Sequence, residues 1–227
     1  MFARILLKFH INIYIIKYVE KLRTQIFIGD FKMNVYDFDQ TIYKRDSTAD
    51  FFFYSLRKHP KTFLAVPTII GAFFKYYIMK KGTKTQFKEK LYTFLRYADV
   101  ENEIEHFWDR NIKDIKKFYM EQHRDDDTVI SASPEFIIKP ACRRLGITNV
   151  MASVVDPKTG RHSGINCHGK EKVRRFKEAF PDTPIERFYS DSLSDTPLAE
   201  LAKNAYMVKG DKITNWIVGE NNGTNDY

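Results

Sequence analysis

Cysteine is nearly absent. Cys142 and Cys167 are the only two among 227 residues, too few for a disulfide framework and suited to a reducing cytoplasm. Both are expected to be ordinary half-buried thiols. The six histidines are scattered, with no His-x-x-x-His or His/Cys pairing, so zinc is not expected. No charge-free apolar run reaches the roughly 18 residues that a spanning helix needs. Phe2 to Phe31 is apolar but is interrupted by Arg4, Lys8, Lys17, Glu20, Lys21 and Arg23, and no small-residue cleavage site follows. Residues 1–32 are therefore read in one of two ways. Translation that begins at Met33 is favoured over an amphipathic surface helix making peripheral membrane contact. A basic stripe is missing as well. The net charge is +8, but residues 1–32 hold six Lys/Arg against two Asp/Glu, and the other 195 residues mix 31 basic with 27 acidic side chains. That pattern excludes an obvious nucleic-acid surface and leaves a mildly basic one suited to anionic ligands.

What the chain does have is apolar and aromatic bulk: 43% hydrophobic residues, with 19 Phe and 13 Tyr, enough for a sizeable core. Met33–Phe38 reads as a short buried strand. Helical patterning follows over Ser47–His59, closed by Pro60, then Thr62–Lys80, Thr85–Arg96 and Val100–Gln122. Thr62–Lys80 is the most apolar of these and is expected to be the core of the helical insert, with a pocket lining, or contact with a membrane if the phosphate is lipid-borne, as the alternatives. From Thr128 the pattern alternates. Strands are expected at Thr128–Ser131, Thr148–Val155, Arg187–Ser190 and Ala205–Val208. Helices are expected at Pro134–Leu145, Gly169–Phe180 and Pro197–Lys203. Such alternation predicts an α/β fold with a parallel sheet covered by helices. One core (33–46 and 124–214) is then split by an all-helical insert (47–123). Asp125-Asp126-Asp127 reads as a solvated loop, and 215–227 as a flexible polar tail.

In open parallel sheets, ligands bind beyond the carboxyl ends of the strands. Three predicted strand ends carry polar clusters: Asp37-Phe38-Asp39-Gln40-Thr41, Ser131-Ala132-Ser133, and Ser190-Asp191-Ser192-Leu193-Ser194-Asp195. A basic helix start, Gly169-Lys170-Glu171-Lys172, lies between the last two. Each piece alone has an ordinary explanation: a polar turn, a strand-end hydroxyl, solvated lysines, caps for a helix starting near Thr196. Together they place four carboxylates, hydroxyls and an ammonium at one edge. Carboxylates gathered so closely repel unless a cation or a proton intervenes, and an all-oxygen donor set favours magnesium where phosphate is handled. The combination points to phosphoryl transfer.

These motifs, in this order, resemble the haloacid dehalogenase (HAD) superfamily, in the subgroup that includes phosphoserine phosphatase. Asp37, Asp39 and Thr41 match its D-x-D-x-T motif, Ser131 its strand-end hydroxyl, and Asp191 and Asp195 its D-x-x-x-D pair. Either Lys170 or Lys172 fits its lysine motif, with Lys172 preferred because it falls within the first turn of the helix. The resemblance implies a Rossmann-like three-layer fold with a helical C1 cap. It further implies a nucleophile at Asp37, a general acid/base at Asp39 and phosphate contacts from Ser131 and the motif lysine. Mg2+ would lie on the Asp37 carboxylate, the Asp39 carbonyl and Asp191, with Asp195 in support. Thr41, Ser133, Lys170 and Asp46 are candidates for the substrate side. Asp46 either meets a substrate amine or N-caps the first cap helix. Ser190 departs from the family's usual glycine and is expected to be tolerated because it is small. The expected activity is hydrolysis of a small phosphorylated metabolite. Two alternatives are a lipid-phosphate phosphatase at the membrane surface and a catalytically idle phosphate-binding module.

Overall fold

A computed structural model describes residues 33–217 of the chain. The expectations for residues 1–32, and for the tail beyond 217, lie outside these described residues. Six strands form one sheet: β1 (Met33–Tyr36), β2 (Thr128–Pro134), β3 (Asn149–Ser153), β4 (Ile185–Ser190), β5 (Ala202–Lys209) and β6 (Lys212–Asn215). Their spatial order is β3-β2-β1-β4-β5-β6. All neighbouring pairs are parallel except β5 with β6, which is antiparallel. The chain builds outward from β1 to β3 on one side, then crosses to β4 on the other. The switch of direction beside β1 is where such sheets bind ligands.

Strand alternation sorts the side chains into two layers. Met33, Val35, Ile130 and Phe188 point into one core with Phe176, Leu198 and Ala199. Tyr36, Val129 and Tyr189 point into the other, together with Phe38, Tyr43, Ile137 and Ile138. Helices cover both faces, as the alternating pattern predicts.

Between β1 and β2 all the regular structure is helical. The α-helices there are α1 (Ser47–Lys58), α2 (Val66–Phe73), α3 (Lys84–Leu91), α4 (Val100–Asn111) and α5 (Lys117–Gln122), joined by 3-10 segments and one π-turn at Phe74–Ile78. Val100, Ile104, Phe107 and Trp108 of α4 are all buried, the i, i+4, i+7, i+8 set of one helical face. Trp108 is fully buried against Phe38, Tyr43 and Phe107, and its Nε1 donates to the Ile137 carbonyl at 2.8 Å. The insertion thus shares its core with one face of the sheet. Gly160 marks a second close approach: it has a φ of 73°, and a Cβ there would lie 2.5 Å from the Tyr92 carbonyl oxygen. No L-residue with a side chain fits.

The chain after β2 adds α6 (Glu135–Arg144), α7 (Lys170–Ala179) and the short α8 (Thr196–Ala199). Several expectations are corrected. The helix expected at Pro197–Lys203 stops at Ala199, because Ala202 already pairs with Ile185 in the sheet. The stretch Val100–Gln122 is not one helix. Ile115 is extended and bridges to Tyr43, and the Lys116 N–H is spent on the Ile42 carbonyl at 2.8 Å. The tail expected from 215 begins on ordered ground, since Asn215 ends β6. Asp127 is fully buried rather than solvated, and its carboxylate accepts the Arg124 N–H at 2.9 Å. Cys142 and Cys167 are free and buried completely. The largest correction concerns Thr62–Lys80. It is not the insert's core, for α2 and the π-turn bury none of their residues, but it does line a pocket, since Thr68, Gly71, Ala72, Lys75 and Tyr76 border a cavity of about 470 Å³.

Candidate active site

The carboxyl ends of β2, β1 and β4 lie side by side, and the sequence-predicted residues follow from them. Asp37 is the first residue past β1, its N–H still donating to the Tyr189 carbonyl at 2.8 Å. One carboxylate oxygen, Oδ1, accepts Lys172 Nζ at 2.7 Å, and the same ammonium donates to Asp195 Oδ2 at 2.7 Å. Lys172 is buried in the first turn of α7, which begins after Gly169 with φ at 55°. Lys170, the other candidate for the lysine position, is solvent-exposed and outside this cluster. Asp195 N-caps α8 by position but makes no side-chain cap. Its carboxylate is committed instead to Lys172 and to the Ser190 hydroxyl, which donates at 2.8 Å.

Asp39 is held from two sides. The Ser47 N–H at the start of α1 donates to its Oδ1 at 2.7 Å, and the Ser133 hydroxyl donates to Oδ2. Thr48 Oγ1 in turn donates to Ser133 Oγ at 3.2 Å. Ser131 Oγ accepts the Ser133 N–H at 3.1 Å, within the stretch where the β2–β3 register shifts. Thr41 lies beneath: its hydroxyl accepts the Asp191 N–H at 2.9 Å and so ties the β1 loop to the β4 loop. Asp46 N-caps α1, accepting the Ala49 N–H at 2.8 Å.

The electrostatics follow from burying these charges together. Burial raises Asp37 to about 7, with Lys172 opposing the rise and Asp195 adding to it. Burial, then the neighbouring Asp46, raises Asp39 to about 6. Asp191 is raised too, first by burial. Lys172 loses solvation, yet Asp195 and Asp37 more than compensate and hold it above its ordinary value. One ammonium therefore serves a group of carboxylates, and Asp195 Oδ1 is buried without a hydrogen-bond partner. Among the described residues no three acidic, His or Cys side chains converge into a protein-only metal cage. Magnesium does not need one, since it keeps several waters and takes one or two carboxylates. The oxygen-rich set, carboxylates short of positive charge and an orphaned buried oxygen fit that ion.

One member escaped the sequence reading. Lys88, from α3 of the insertion, donates through Nζ to the Ala132 carbonyl at 2.7 Å and to Asn166 Oδ1 at 3.3 Å. Burial, with Lys84 beside it, lowers its ammonium to about 8, while Asp46 and Asp39 pull the other way. Nothing in the run Lys84–Leu91 distinguishes Lys88 from its neighbours Lys84 and Lys90. Only the fold-back of the insertion over the strand ends does so. A cavity of about 470 Å³ lies elsewhere, within the insertion and lined by Gly71, Lys75, Tyr76 and Phe87, and includes none of these residues.

Comparison with known proteins shows the family and the fold. The family model for haloacid dehalogenase-like hydrolase matches residues 35–200. A protein of Mycobacterium tuberculosis described as a probable phosphatase is 35% identical over 94 residues, covering 38% of this chain and 33% of that one. The chain thus spans about a third of the length of this curated relative. The histidinol-phosphatase of Neisseria meningitidis is 29% identical over 157 residues, covering 63% of this chain and 68% of that one. A solved structure from Bordetella pertussis, of unknown function, superimposes with a TM-score of 0.57 at 20% identity, covering 77% of this chain and 88% of that one. At that identity the likeness speaks for the fold alone.

Proposed function

Because the chain belongs to the haloacid dehalogenase-like hydrolase family, we propose that it is a magnesium-dependent phosphatase that hydrolyses a phosphate monoester through a phospho-aspartyl intermediate on Asp37. Lys172 holds Oδ1 of Asp37, which leaves the second carboxylate oxygen to attack phosphorus. As the P–O bond to the leaving alcohol breaks, Asp39 gives that oxygen its proton. A water then attacks the aspartyl phosphate, Asp39 takes a proton back, and inorganic phosphate leaves. A carboxyl raised to about 6 is poised to give and take a proton near neutrality. Its two hydrogen bonds, from Ser47 and Ser133, fix where it points. Ser131 and Lys172 supply hydrogen bonds to the equatorial oxygens. Bound by Asp37, Asp191 and the Asp39 carbonyl, with Asp195 behind them, magnesium would neutralise charge on the carboxylates and the phosphate. Lys88 adds a cation from the insertion side, where the non-reacting part of an anionic substrate would enter.

The observation that carries this reading is the bridge of Lys172 between Asp37 and Asp195, residues 135 and 23 positions away in the chain, at 2.7 Å each. Its test is hydrolysis of 4-nitrophenyl phosphate with magnesium and with EDTA, beside the Asp37→Asn variant. Activity is expected only with metal, and the variant should lose more than about a thousandfold. Retained turnover in Asp37→Asn would remove the assigned nucleophile. Phosphoserine and histidinol phosphate belong first in the substrate panel, the latter because of the Neisseria relative's name.

A further inference from the structure

The insertion turns apolar side chains outward. Ile70, Phe73, Phe74, Tyr77 and Ile78 are each between 46% and 63% exposed, at i, i+3, i+4, i+7 and i+8 along α2 and the π-turn. That is one continuous face of a helix, here pointed at solvent instead of core. Phe63, Leu64 and Met79 extend it at both ends with similar exposure. The inner side of the same helix is partly covered by α3: Tyr76 stacks on Phe87 at 5.2 Å, Tyr77 meets the edge of the same ring at 5.3 Å, and a cavity borders the rest. The stripe is therefore not a mispacked core.

Charge tells what could cover it. Between Asp50 and Glu89 there is no acidic residue, while Arg57, Lys58, Lys61, Lys75, Lys80, Lys81, Lys84 and Lys88 make eight basic ones. Lys88 faces the strand ends and Lys84 meets His168. Lys58, Lys61, Lys75, Lys80 and Lys81 are exposed in this stretch of the chain, with Lys75 and Lys81 bordering the cavity that Tyr76 and Phe87 line. The Lys81 N–H donates to the Lys75 carbonyl at 3.1 Å, and Lys80 adopts φ 55°, so the turn after Ile78 and Met79 brings the backbone of Lys81 back to that of Lys75. A second copy would bring like charge against like. Residues 1–32, with six basic and two acidic residues, would do the same. A bilayer bearing anionic headgroups satisfies both features at once, burying the stripe and pairing the lysines.

We propose that the face formed by residues 63–81 docks the protein on an anionic lipid bilayer as an interfacial element. No helix among the described residues is long and apolar enough to cross one. The inference stands apart from the phosphatase reading and would survive its failure.

The test is co-sedimentation of the full chain with vesicles of phosphatidylcholine alone, and with vesicles of phosphatidylcholine and phosphatidylglycerol in equal parts. Binding is expected to the mixed vesicles and to fall as salt rises. Phe74→Ser with Ile78→Ser should weaken it about a hundredfold, roughly tenfold for each apolar side chain removed. Circular dichroism and 4-nitrophenyl phosphate hydrolysis should stay unchanged. Lys80→Glu with Lys81→Glu, a pair at the turn tip, should abolish the preference for the anionic mixture and needs no apolar change. Vesicle binding that persists in both variants would assign it to another segment and overturn the proposal. Failure of the unaltered chain to bind the mixed vesicles would also overturn it. So would a self-association that Phe74→Ser with Ile78→Ser abolishes, without lipid binding, since the occupant would then be a second copy.

Discussion

The sheet edge and the outer face of the insertion break the usual division of residues in opposite directions. At the edge, Asp37, Lys172 and Asp195 are buried. On the insertion, Ile70, Phe74 and Ile78 stand more than half exposed. Apolar side chains out and charges in are both costly arrangements, and neither is needed to hold an α/β sandwich together. The difference lies in how each is compensated. The buried charges are matched to one another through hydrogen bonds, so that removing one strands the rest. The exposed apolar residues have little to lose on the protein itself. Each region is thus marked by its departure from the burial rule, and the two departures predict different responses to substitution.

The largest response is expected at the buried triad. Lys172→Met keeps the volume but leaves Asp37 and Asp195 without their shared cation, which should cost about 3–5 kcal/mol of stability. Thermal unfolding measures this, and magnesium should restore part of the loss by rejoining the carboxylates. A variant as stable as the parent would mean that the triad is no more than a surface ion pair. Next comes a contrast inside the insertion. Trp108→Ala opens a cavity under Phe38, Tyr43 and Phe107 and should cost about 3–5 kcal/mol. Phe74→Ser should change unfolding free energy by about 0.5 kcal/mol or less. Equal losses in denaturant titrations would show that the outer stripe is core after all. A smaller effect is expected at Ser190, which donates to Asp195. Ser190→Gly restores the family's usual residue but removes that donor, and should cost about 1 kcal/mol.

These contrasts also explain what could be read from the sequence. The strand ends were legible because alternation is a local, period-2 signal, and chemistry at their carboxyl ends follows from parallel topology. Asp37, Asp39, Ser131, Asp191 and Asp195 were singled out that way, and the family resemblance held. Lys172 could be preferred over Lys170 only by its helical turn; the fold adds that it is buried while Lys170 is exposed. Asp46 was readable as a cap because capping is local. Lys88 was not, since its position depends on how the insertion folds back. Hydropathy placed 62–80 inside, because a stripe looks the same in sequence whether it faces core or solvent. Asp127 looked solvated as the third of three acids, yet its place just before β2 carries it under the sheet. β6 was missed because four residues, Lys-Ile-Thr-Asn, carry too little alternation to register.

The smallest effect separates a buried charge that is compensated locally from the site's collective one. Glu171, buried beside Lys172 in α7, accepts from Arg174 at 2.7 and 2.8 Å and from Arg175 at 2.8 Å. The hydrogen bonds from Arg174, against the cost of burial and with help from Arg175, lower its carboxyl from 4.5 to about 2. A lowered value means that the charged form favours the fold. The contribution is therefore complete above the ordinary value and is lost as pH falls from about 4.5 towards about 2. Asp127, raised by burial, titrates with the opposite sign, but it does so equally in both proteins and cancels in a difference. Glu171→Gln should thus lower the unfolding temperature at neutral pH and converge on the parent as the solution is acidified through that window. A gap that stays constant would mean that Glu171 acts through its packing alone.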